Sequence, residues 1–522
     1  MSDNPVEGGI KMQRMLNSDR NGEEREDRLS SLPTALLVDI LSLLPIHSAV
    51  VTGILSHRWC NLWTQVTSVR IDKDYFDVTN YRFLPNSEGI VAQLTSPVID
   101  VFDIYIPFPL EKFGAGDDIV FRQNLLLPVQ NMCQRVFCGW IRSIFERRVK
   151  VIKVRFEETD EWFGVFLHLH VPECKSLEEI YIEKWCDGQL FLHELDEVEL
   201  CLPNLKKIDV SMQSFRLDFL SRLIRFSPLL EYLKLEGRPL EYMVDDILLQ
   251  IISPNLKRLS IQRDSCFMPI QVVIDAPKLE FICLQDYNHL SKYSFVKKTP
   301  TTLGGAIIYR GLSPDQYLQE TNELEFLKSM SNTLRSLTIS GTIVGILANL
   351  IHSSQPSLPV FQQLTHFNVA IMYRNHWKGF VHLLQYLPNV RILRVYQRED
   401  QDVDINDMLG IGLDFVPASI STKITRIVLK NIEGKAIEID VIRYLLKVSN
   451  VLKAIEIIIA PNNIQSKEVQ TCRELELCGE FYNLPRSSSD CQIKFTGNYV
   501  NVSTKGLTIG ALDCGILRCT RD

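Results

Sequence analysis

The stretch of sequence that decides the fold is a short phrase repeated along the middle of the chain: LEEIYI at 177–182, LKKIDV at 205–210, LEYLKL at 230–235, LKRLSI at 256–261 and LEFICL at 279–284. Each copy has the form Leu-x-x-apolar-x-apolar, and successive copies begin 23 to 28 residues apart. Because strand side chains alternate between two faces, the apolar positions of each copy point to one side and the residues between them to the other. The phrase therefore predicts a series of equivalent, half-buried strands.

The phrase continues towards the C-terminus as LRSLTI, LTHFNV, VRILRV, ITRIVL and LKAIEI, which begin at Leu334, Leu364, Val390, Ile424 and Leu452. An earlier copy is formed by Val149, Ile152 and Val154, and a weaker one at Leu303, Ala306 and Ile308 divides the long interval before Leu334. A period of about 20 to 29 residues is typical of the leucine-rich repeat, whose units each supply a strand and a return segment. Apolar residues at 140–145 and 380–384 recur with helical spacing. The predicted fold class is therefore α/β, a solenoid of strand plus helix units.

The segment before the repeats has a different pattern. Residues 1–26 are polar and charged, which predicts a flexible tail. From Asp27 the sequence reads DRLSSLPTALLVDILSLLPIHSAVVTGILSHRWCNLWTQV. Pro33 suits the first turn of a helix that Pro45 ends, a second helix is expected from Ser48 to Leu55, and Ser56 is expected to cap a third. About forty residues cannot bury so many large apolar groups alone, so these helices either bind another polypeptide or cap the repeats.

The motifs in this segment strongly resemble the F-box of plant proteins: Leu32-Pro33, Leu43-Leu44-Pro45, Leu55-Ser56, Arg58-Trp59 and Leu62-Trp63. The resemblance implies docking on a Skp-type adaptor, which joins a cullin scaffold that carries the ubiquitin-conjugating machinery. His57 and Cys60 stand where the family often has basic residues. The residues that the resemblance assigns to adaptor binding are Leu32, Pro33, Leu36, Ile40, Leu43, Leu44, Pro45, Leu55, Arg58 and Trp59.

Near the C-terminus, residues 416–459 and 484–495 resemble the FBD region of plant F-box and leucine-rich-repeat proteins. Ile442, Leu445 and Leu446 form one apolar helix face between two strands, so this region is expected to complete the solenoid and shield its end. The expected domains are a tail at 1–26, the F-box at 27–70, a connecting segment and start of the solenoid at 71–140, leucine-rich repeats at 141–403, the FBD region at 404–496 and a tail of unassigned role at 497–522.

The composition of the chain argues against several classes of partner. The net charge of −7 arises from 56 basic and 63 acidic residues mixed along the chain, which argues against nucleic acid as a partner. No run approaches the ~20 apolar residues of a membrane-spanning helix, so no membrane partner is expected. The 13 cysteines are scattered without organised spacing, which favours a reducing compartment, the cytoplasm or the nucleus.

The sequence carries no catalytic motif such as GxSxG or HExxH. Gly114 to Asp117 forms a glycine-rich turn without the lysine of a phosphate loop. His168, His170 and Cys174 form an incomplete ligand set in an apolar stretch and are expected to pack in the core. Neither a metal nor a cofactor is predicted, and the chain is not expected to be an enzyme.

Together the resemblances imply the substrate-recognition subunit of a Skp-cullin-F-box ubiquitin ligase, with an unknown protein target held on the concave strand face. The mixed charge of that face favours a protein target, bound either directly or with the help of a small molecule. Two alternatives are a leucine-rich-repeat scaffold unconnected with ubiquitin and an enzyme with an unrecognised site. The candidate target-binding residues are Tyr181, Lys207, Asp209, Tyr232, Lys234, Arg258, His366, Asn368, Arg394 and Tyr396.

Overall fold

The structure is a computed structural model of the 522-residue chain. It describes residues 29, 31–72, 76–77, 82–83, 87–106, 139–141, 143–156, 174–184, 202–215, 217–239, 248–263, 269–288, 290–311, 320–352, 358–371, 374–397, 416–461, 466–503 and 506–509.

The N-terminal segment folds into two α-helices and two 3₁₀ turns. Helix α1 spans Thr34–Ser42, α2 spans Ile46–Val51, and the 3₁₀ turns span Thr52–Ile54 and Leu62–Gln65. Pro33 and Pro45 precede the two helices, where a missing N–H costs nothing. The third predicted helix is present only as the 3₁₀ turn at Leu62–Gln65, because residues 57–61 form turns.

Twenty-two strands follow within the described ranges. In chain order they are β1 Ser68–Ile71, β2 Phe76–Asp77, β3 Arg82–Phe83, β4 Val101–Ile106, β5 Val151–Phe156, β6 Glu179–Lys184, β7 Lys207–Phe215, β8 Tyr232–Pro239, β9 Leu248–Ile252, β10 Arg258–Arg263, β11 Gln271–Asp275, β12 Phe281–Asp286, β13 Lys292–Phe295, β14 Gly305–Arg310, β15 Ser336–Ser340, β16 His366–Ile371, β17 Ile392–Gln397, β18 Arg426–Ile432, β19 Ala454–Ile459, β20 Gln492–Thr496, β21 Val500–Ser503 and β22 Gly506–Ile509.

In the part of the chain that the structure describes, the main sheet has 17 strands. Strand β1 pairs with β4, and the pairing then continues in chain order through β5, β6, β7, β8, β10 and β12 to the run from β14 to β20. All of these pairs are parallel. Strands β21 and β22 extend the far edge as antiparallel partners. The solenoid predicted from the repeated phrase is confirmed, including the weak copy at Leu303, which leads into β14. The sheet begins at Ser68, because β1 and β4 already belong to it.

The core is a continuous ladder of the inward Leu and Ile side chains. In β6, for example, Ile180 and Ile182 are buried, and in the next copies Ile208, Val210 and Leu233 take the equivalent places. Burial of each such side chain contributes about 1.5 to 3 kcal/mol, and the apolar surface of one unit is covered by its neighbours.

Most return segments are helical, as predicted. The helices are α3 Ser87–Gln93, α4 Leu217–Arg225, α5 Glu320–Met330, α6 Gly341–His352, α7 Arg374–Leu383, α8 Ala418–Thr422, α9 Ala436–Val448 and α10 Lys467–Asn483. Residues 139–141 and 143–146 are also helical, and in α9 the predicted face of Ile442, Leu445 and Leu446 is buried. No helix in the described ranges is long and apolar enough to cross a bilayer.

The uniform strand plus helix unit is wrong for the middle of the solenoid. There the returns after β8, β10 and β12 are the strands β9, β11 and β13, which form a second parallel sheet. The reason is a two-residue period: Leu249 and Ile251 are buried between exposed neighbours, and Val272 and Ile274 repeat the pattern. β-Branched residues in alternation favour a strand over a helix.

Asparagines connect successive turns ahead of the strands. The side-chain amide of Asn204 donates to the Lys175 carbonyl oxygen at 2.6 Å, and that of Asn255 donates to the Pro228 carbonyl oxygen at 2.9 Å. Asn389 makes the equivalent bond to the Gln362 carbonyl oxygen. The Pro-Asn pairs therefore hold each turn against the turn of the preceding repeat.

Two buried glutamates organise the C-terminal part of the chain. The carboxylate of Glu438 accepts the backbone N–H groups of residues 433, 434 and 435, which fixes the start of α9. The carboxylate of Glu474 accepts the N–H groups of residues 498, 499 and 500, which binds the turn between β20 and β21 to α10. These contacts close the end of the sheet, where the sequence assigned only a tail after residue 496.

A buried ionic cluster lies at the ends of β10, β12 and β14. Asp286 is fully buried and accepts hydrogen bonds from the Arg263 guanidinium at 2.8 Å and the Tyr293 hydroxyl at 2.7 Å. Arg310 lies 3.7 Å from Asp286 and pairs with Glu323 of α5. Strand register places Arg263, Asp286 and Arg310 side by side, so the cluster ties three repeats to one helix.

We expect Asp286→Ala to destabilise the solenoid by about 3 to 5 kcal/mol, because it leaves a buried guanidinium without its carboxylate. The matched variant Asp100→Ala removes an exposed pair with Lys150 and should cost at most about 1 kcal/mol. The urea midpoints of both variants measure the difference, and equal midpoints would contradict a dominant role for the buried cluster.

Candidate functional site

An apolar surface remains exposed on the N-terminal module, residues 31–66. We call it the apolar patch and define it by six exposed side chains: Leu36, Ile40, Leu43, Val51, Ile54 and Leu55. Ile54 is 83% exposed and Leu43 is 68% exposed. Residues 36, 40 and 43 follow one face of α1 and its end, and residues 51, 54 and 55 follow one face of α2 and its 3₁₀ extension. Each helix thus presents an apolar stripe to solvent.

The opposite side of the module is sealed against the solenoid. Leu37, Leu41 and Ile46 are buried in the same core as the first strands. The Thr67 N–H donates to the Ser42 hydroxyl at 3.1 Å, and the Arg70 guanidinium of β1 donates to the Leu43 carbonyl oxygen at 3.2 Å. The module is therefore attached to the edge of the main sheet.

The predicted adaptor-binding residues fall into three groups by exposure. Trp59 is 2% exposed and lies in the core, so it supports the module from within. Leu32, Leu44 and Pro45 are half-buried. The exposed members are Pro33, Leu36, Ile40, Leu43, Leu55 and Arg58.

Sequence reasoning missed two residues of the apolar patch. Val51 and Ile54 precede the quoted Leu55-Ser56 motif by four and one positions. Their i, i+3 and i, i+4 spacing with Leu55 was a usable signal for a shared helix face.

Two contacts hold the module in shape behind the patch. The exposed Arg58 guanidinium donates to the Leu32 carbonyl oxygen, which ties the turn after α2 to the start of α1. Gly53 allows the two backbone segments to approach, because a Cβ there would lie 3.2 Å from the Cys60 carbonyl oxygen. Arg58 therefore stabilises the module through this hydrogen bond although its side chain is exposed.

The predicted target-binding residues all lie on the outward side of the main sheet, which we call the strand face. All are exposed or half-buried there. Register brings them together as two separate groups rather than one. The first group lies on β6, β7, β8 and β10, and the second lies on β16 and β17.

In the first group, cations and rings are interleaved. The Lys207 ammonium lies 4.7 Å from the ring centroids of both Tyr181 and Tyr232. The Lys234 ammonium pairs with Glu236 at 2.8 Å and lies 3.8 Å from Asp209. Burial alone would lower the pKa of Lys234, but these two carboxylates raise it. The charges of this group are largely satisfied within the chain.

The second group is a short polar chain across three strands. The Asn368 amide donates to the Thr338 hydroxyl at 2.9 Å, and the Arg394 guanidinium donates to the Asn368 amide oxygen at 3.4 Å. The Lys430 ammonium lies 5.3 Å from the Tyr396 ring centroid. This group thus presents cationic hydrogen-bond donors among half-buried side chains.

The described residues contain no group of three or more His, Cys, Asp or Glu side chains that could hold a metal ion. His168 and His170 lie outside the described residues. Cys174 is buried as expected, with its thiol near the Val149 carbonyl oxygen. The described cysteines are free thiols.

The fold and its surfaces define a class of protein: a leucine-rich-repeat solenoid that carries an N-terminal helical module with an exposed apolar patch. Residues 137–299 match the family model of the leucine-rich repeats in the FBD-associated F-box protein At5g56370. The chain is 27% identical over 445 residues to F-box/LRR-repeat protein 13 of Arabidopsis thaliana, covering 83% of this chain and 89% of that protein.

Two further Arabidopsis thaliana relatives extend the match. The chain is 24% identical to F-box/FBD/LRR-repeat protein At1g78750, covering 90% of this chain and 97% of the relative. It is 25% identical to putative FBD-associated F-box protein At5g56390, covering 90% and 100%. The resemblance to plant F-box and leucine-rich-repeat proteins with an FBD region is confirmed.

We expect Trp59→Ala to destabilise the N-terminal module by about 3 to 5 kcal/mol, because it opens a cavity in the shared core. Ile54→Ala should change the free energy of unfolding by less than about 0.5 kcal/mol, since its side chain is in solvent. Urea titrations followed by tryptophan fluorescence compare them. A large loss for Ile54→Ala would show that the patch is packed rather than exposed.

Proposed function

We propose that this chain is the substrate-recognition subunit of a Skp-cullin-F-box ubiquitin ligase. The apolar patch binds a Skp-type adaptor, through which the chain joins a cullin scaffold, and the strand face binds an unidentified target protein. The observation that carries the proposal is the two-sided N-terminal module, which seals one apolar side into the repeat core and leaves the other in water.

The patch is large enough to drive association. Complete burial of one exposed Leu or Ile contributes about 1.5 to 3 kcal/mol, whereas an exposed ion pair contributes at most about 1 kcal/mol. Six such side chains in 20 residues, Leu36 to Leu55, therefore outweigh any charge contact that His57 or Cys60 fails to provide. Their arrangement on two successive short helices suits insertion into a groove of a partner protein.

The alternative is a repeat scaffold in which the module serves only as a cap. The buried side of the module, with Leu37, Leu41 and Trp59, supports a capping role. A cap needs a polar outer face to remain soluble, however, and here the outer face carries Leu43, Ile54 and Leu55. The exposed apolar residues favour the ligase subunit.

The proposed role requires no catalytic group in this chain. A receptor accelerates transfer by holding the target near an activated ubiquitin, which replaces a bimolecular encounter by a local one. The parallel ladder of the solenoid supplies a fixed distance between the apolar patch and the strand face. Free thiols at the described cysteines suit work in the cytoplasm or nucleus.

The double variant Leu43→Asp with Ile54→Asp should weaken binding to a recombinant Skp-type adaptor at least about 100-fold, because two apolar contacts are replaced by desolvated charges. Biolayer interferometry with immobilised adaptor measures the affinity, and circular dichroism verifies the fold.

The matched control is Leu248→Asp with Ile252→Asp, which makes the same exchanges at exposed positions of β9. Adaptor affinity of the control should equal that of the unaltered chain. Equal losses in both double variants, or no loss in either, would refute the assignment of the adaptor to the apolar patch.

A further inference from the structure

The residues just before the strands of the main sheet form a row along one edge, which we call the rim row. The N–H group of each member donates to the carbonyl oxygen of the preceding member, so the row is a continuous backbone ladder. In order from β5 to β19 its members are Lys150, Glu178, Lys206, Glu231, Lys257, Glu280, Gly304, Arg335, Thr365, Arg391, Thr425 and Lys453.

The first half of the rim row alternates in charge. Lys206 pairs with Glu178 at 2.8 Å, and Lys257 pairs with Glu231 at 2.9 Å. Neighbouring strands are about 4.8 Å apart, so every cation has an acid on the adjoining strand. In this half of the rim row, the charges of neighbouring repeats therefore cancel.

After Gly304 the acids disappear from the rim row. Arg335, Arg391 and Lys453 alternate with two threonines, and no carboxylate lies between these cations in the row. All three basic side chains are exposed, and none makes an ion pair within the described ranges. The cations stand about 10 Å apart, two strands at a time.

The strand face beside this half is basic as well. Arg394 and Lys430 have no carboxylate partner among the described side chains, and Arg394 is held by the Asn368 amide. Glu456 is the one acid at the described outward and rim positions from β15 to β20. It is shared between Arg426 at 3.3 Å and Lys494 at 2.6 Å, so it neutralises only one of the two.

These seven cations form a surface that we call the basic face: Arg335, Arg391, Arg394, Arg426, Lys430, Lys453 and Lys494. It contrasts with the strand face from β5 to β10, where acids and bases alternate. The mixed charge noted from the sequence for the candidate target-binding residues thus describes the first half of the strand face better than the second. A surface on which cations outnumber acids among the described side chains favours a partner of opposite charge.

We propose that the basic face binds a carboxylate-rich segment of the target protein, a run of closely spaced Asp and Glu side chains. This inference rests on the proposed function and specifies the class of target. Charge complementarity selects the partner, and the Arg394 guanidinium provides forked donors that suit a carboxylate. The Tyr396 ring, beside Lys430, supplies the flat apolar contact that interface centres favour.

A protein segment fits this surface better than nucleic acid does. The chain as a whole carries −7, and the alternating half of the same face offers no cationic track for a continued phosphate backbone. The half-buried guanidinium of Arg394 is also accessible to a single side chain that protrudes from a target protein.

The test uses the full chain bound to its adaptor and a fluorescein-labelled octaglutamate peptide as the probe. Fluorescence anisotropy should show binding that weakens at least about tenfold in Arg391→Glu with Arg394→Glu, since two attractive charges become repulsive. The control, Lys206→Glu with Lys257→Glu, makes the same change in net charge on the alternating half of the rim row and should weaken binding less than about twofold. Octaglutamine should not bind.

Three results would overturn the proposal. They are the absence of octaglutamate binding in low salt, equal losses in the two double variants, and tighter binding of a single-stranded oligonucleotide of the same charge. Adaptor affinity, measured on the same samples, reports separately on the proposed function. If the unaltered chain binds the adaptor but not the peptide, only the proposal for the basic face is rejected. If the unaltered chain does not bind the adaptor, the proposed role as a ligase subunit is rejected.

Discussion

The whole structure depends on one constraint: a single repeat cannot bury its own Leu and Ile ladder and must be covered by the next repeat. Parallel pairing of the repeat strands is the solution that the chain adopts from β1 to β20, with register shifts only near the ends of the β7–β8 and β18–β19 pairs among the described strands. The same register fixes every outward side chain, because a slip of one residue would exchange the two faces. The positions of the rim row and the strand face are therefore consequences of core packing.

The ladder also creates two ends, and the chain treats them differently. At the C-terminal end, Glu474 anchors the turn that leads into antiparallel strands, and helix α10 covers the last units. At the N-terminal end, the module covers the first strands with Leu37, Leu41 and Trp59 but keeps Leu43 and Ile54 in water. A cap that was selected only for stability would have a polar outer side. The apolar outer side is thus a functional feature added to a structural one.

Much of this arrangement could be predicted from the sequence. The strands followed from the repeated phrase, even at the weak copy near Leu303, because inward Leu and Ile leave a strong period. The returns β9, β11 and β13 were missed because short apolar runs fit a helix or a strand until their neighbours are known. The third helix of the module starts later than predicted, at Leu62, since Ser56 can cap a helix only where the following backbone is helical.

The sites were predicted less completely than the fold. Exposure decides which residues of an apolar motif are available, and sequence alone placed buried Trp59 beside exposed Leu43. The residues of the rim row occupy the second position of each repeated phrase, so their charges can be read from the sequence. Which of these charges lie next to each other depends on the pairing of distant repeats. Lys206 and Glu178 are 28 positions apart in sequence and 2.8 Å apart in the structure. Pairing of this kind turns a scattered composition into a neutral half and a basic half.

The N-terminal module has one side sealed in the repeat core and one apolar side open to a partner. Hydrogen–deuterium exchange of the full chain with and without a recombinant Skp-type adaptor tests this arrangement most directly. We expect the adaptor to slow exchange in residues 34–58 and to leave exchange in the strands from β5 to β20 unchanged. Slowed exchange in the solenoid, with residues 34–58 unaffected, would contradict it.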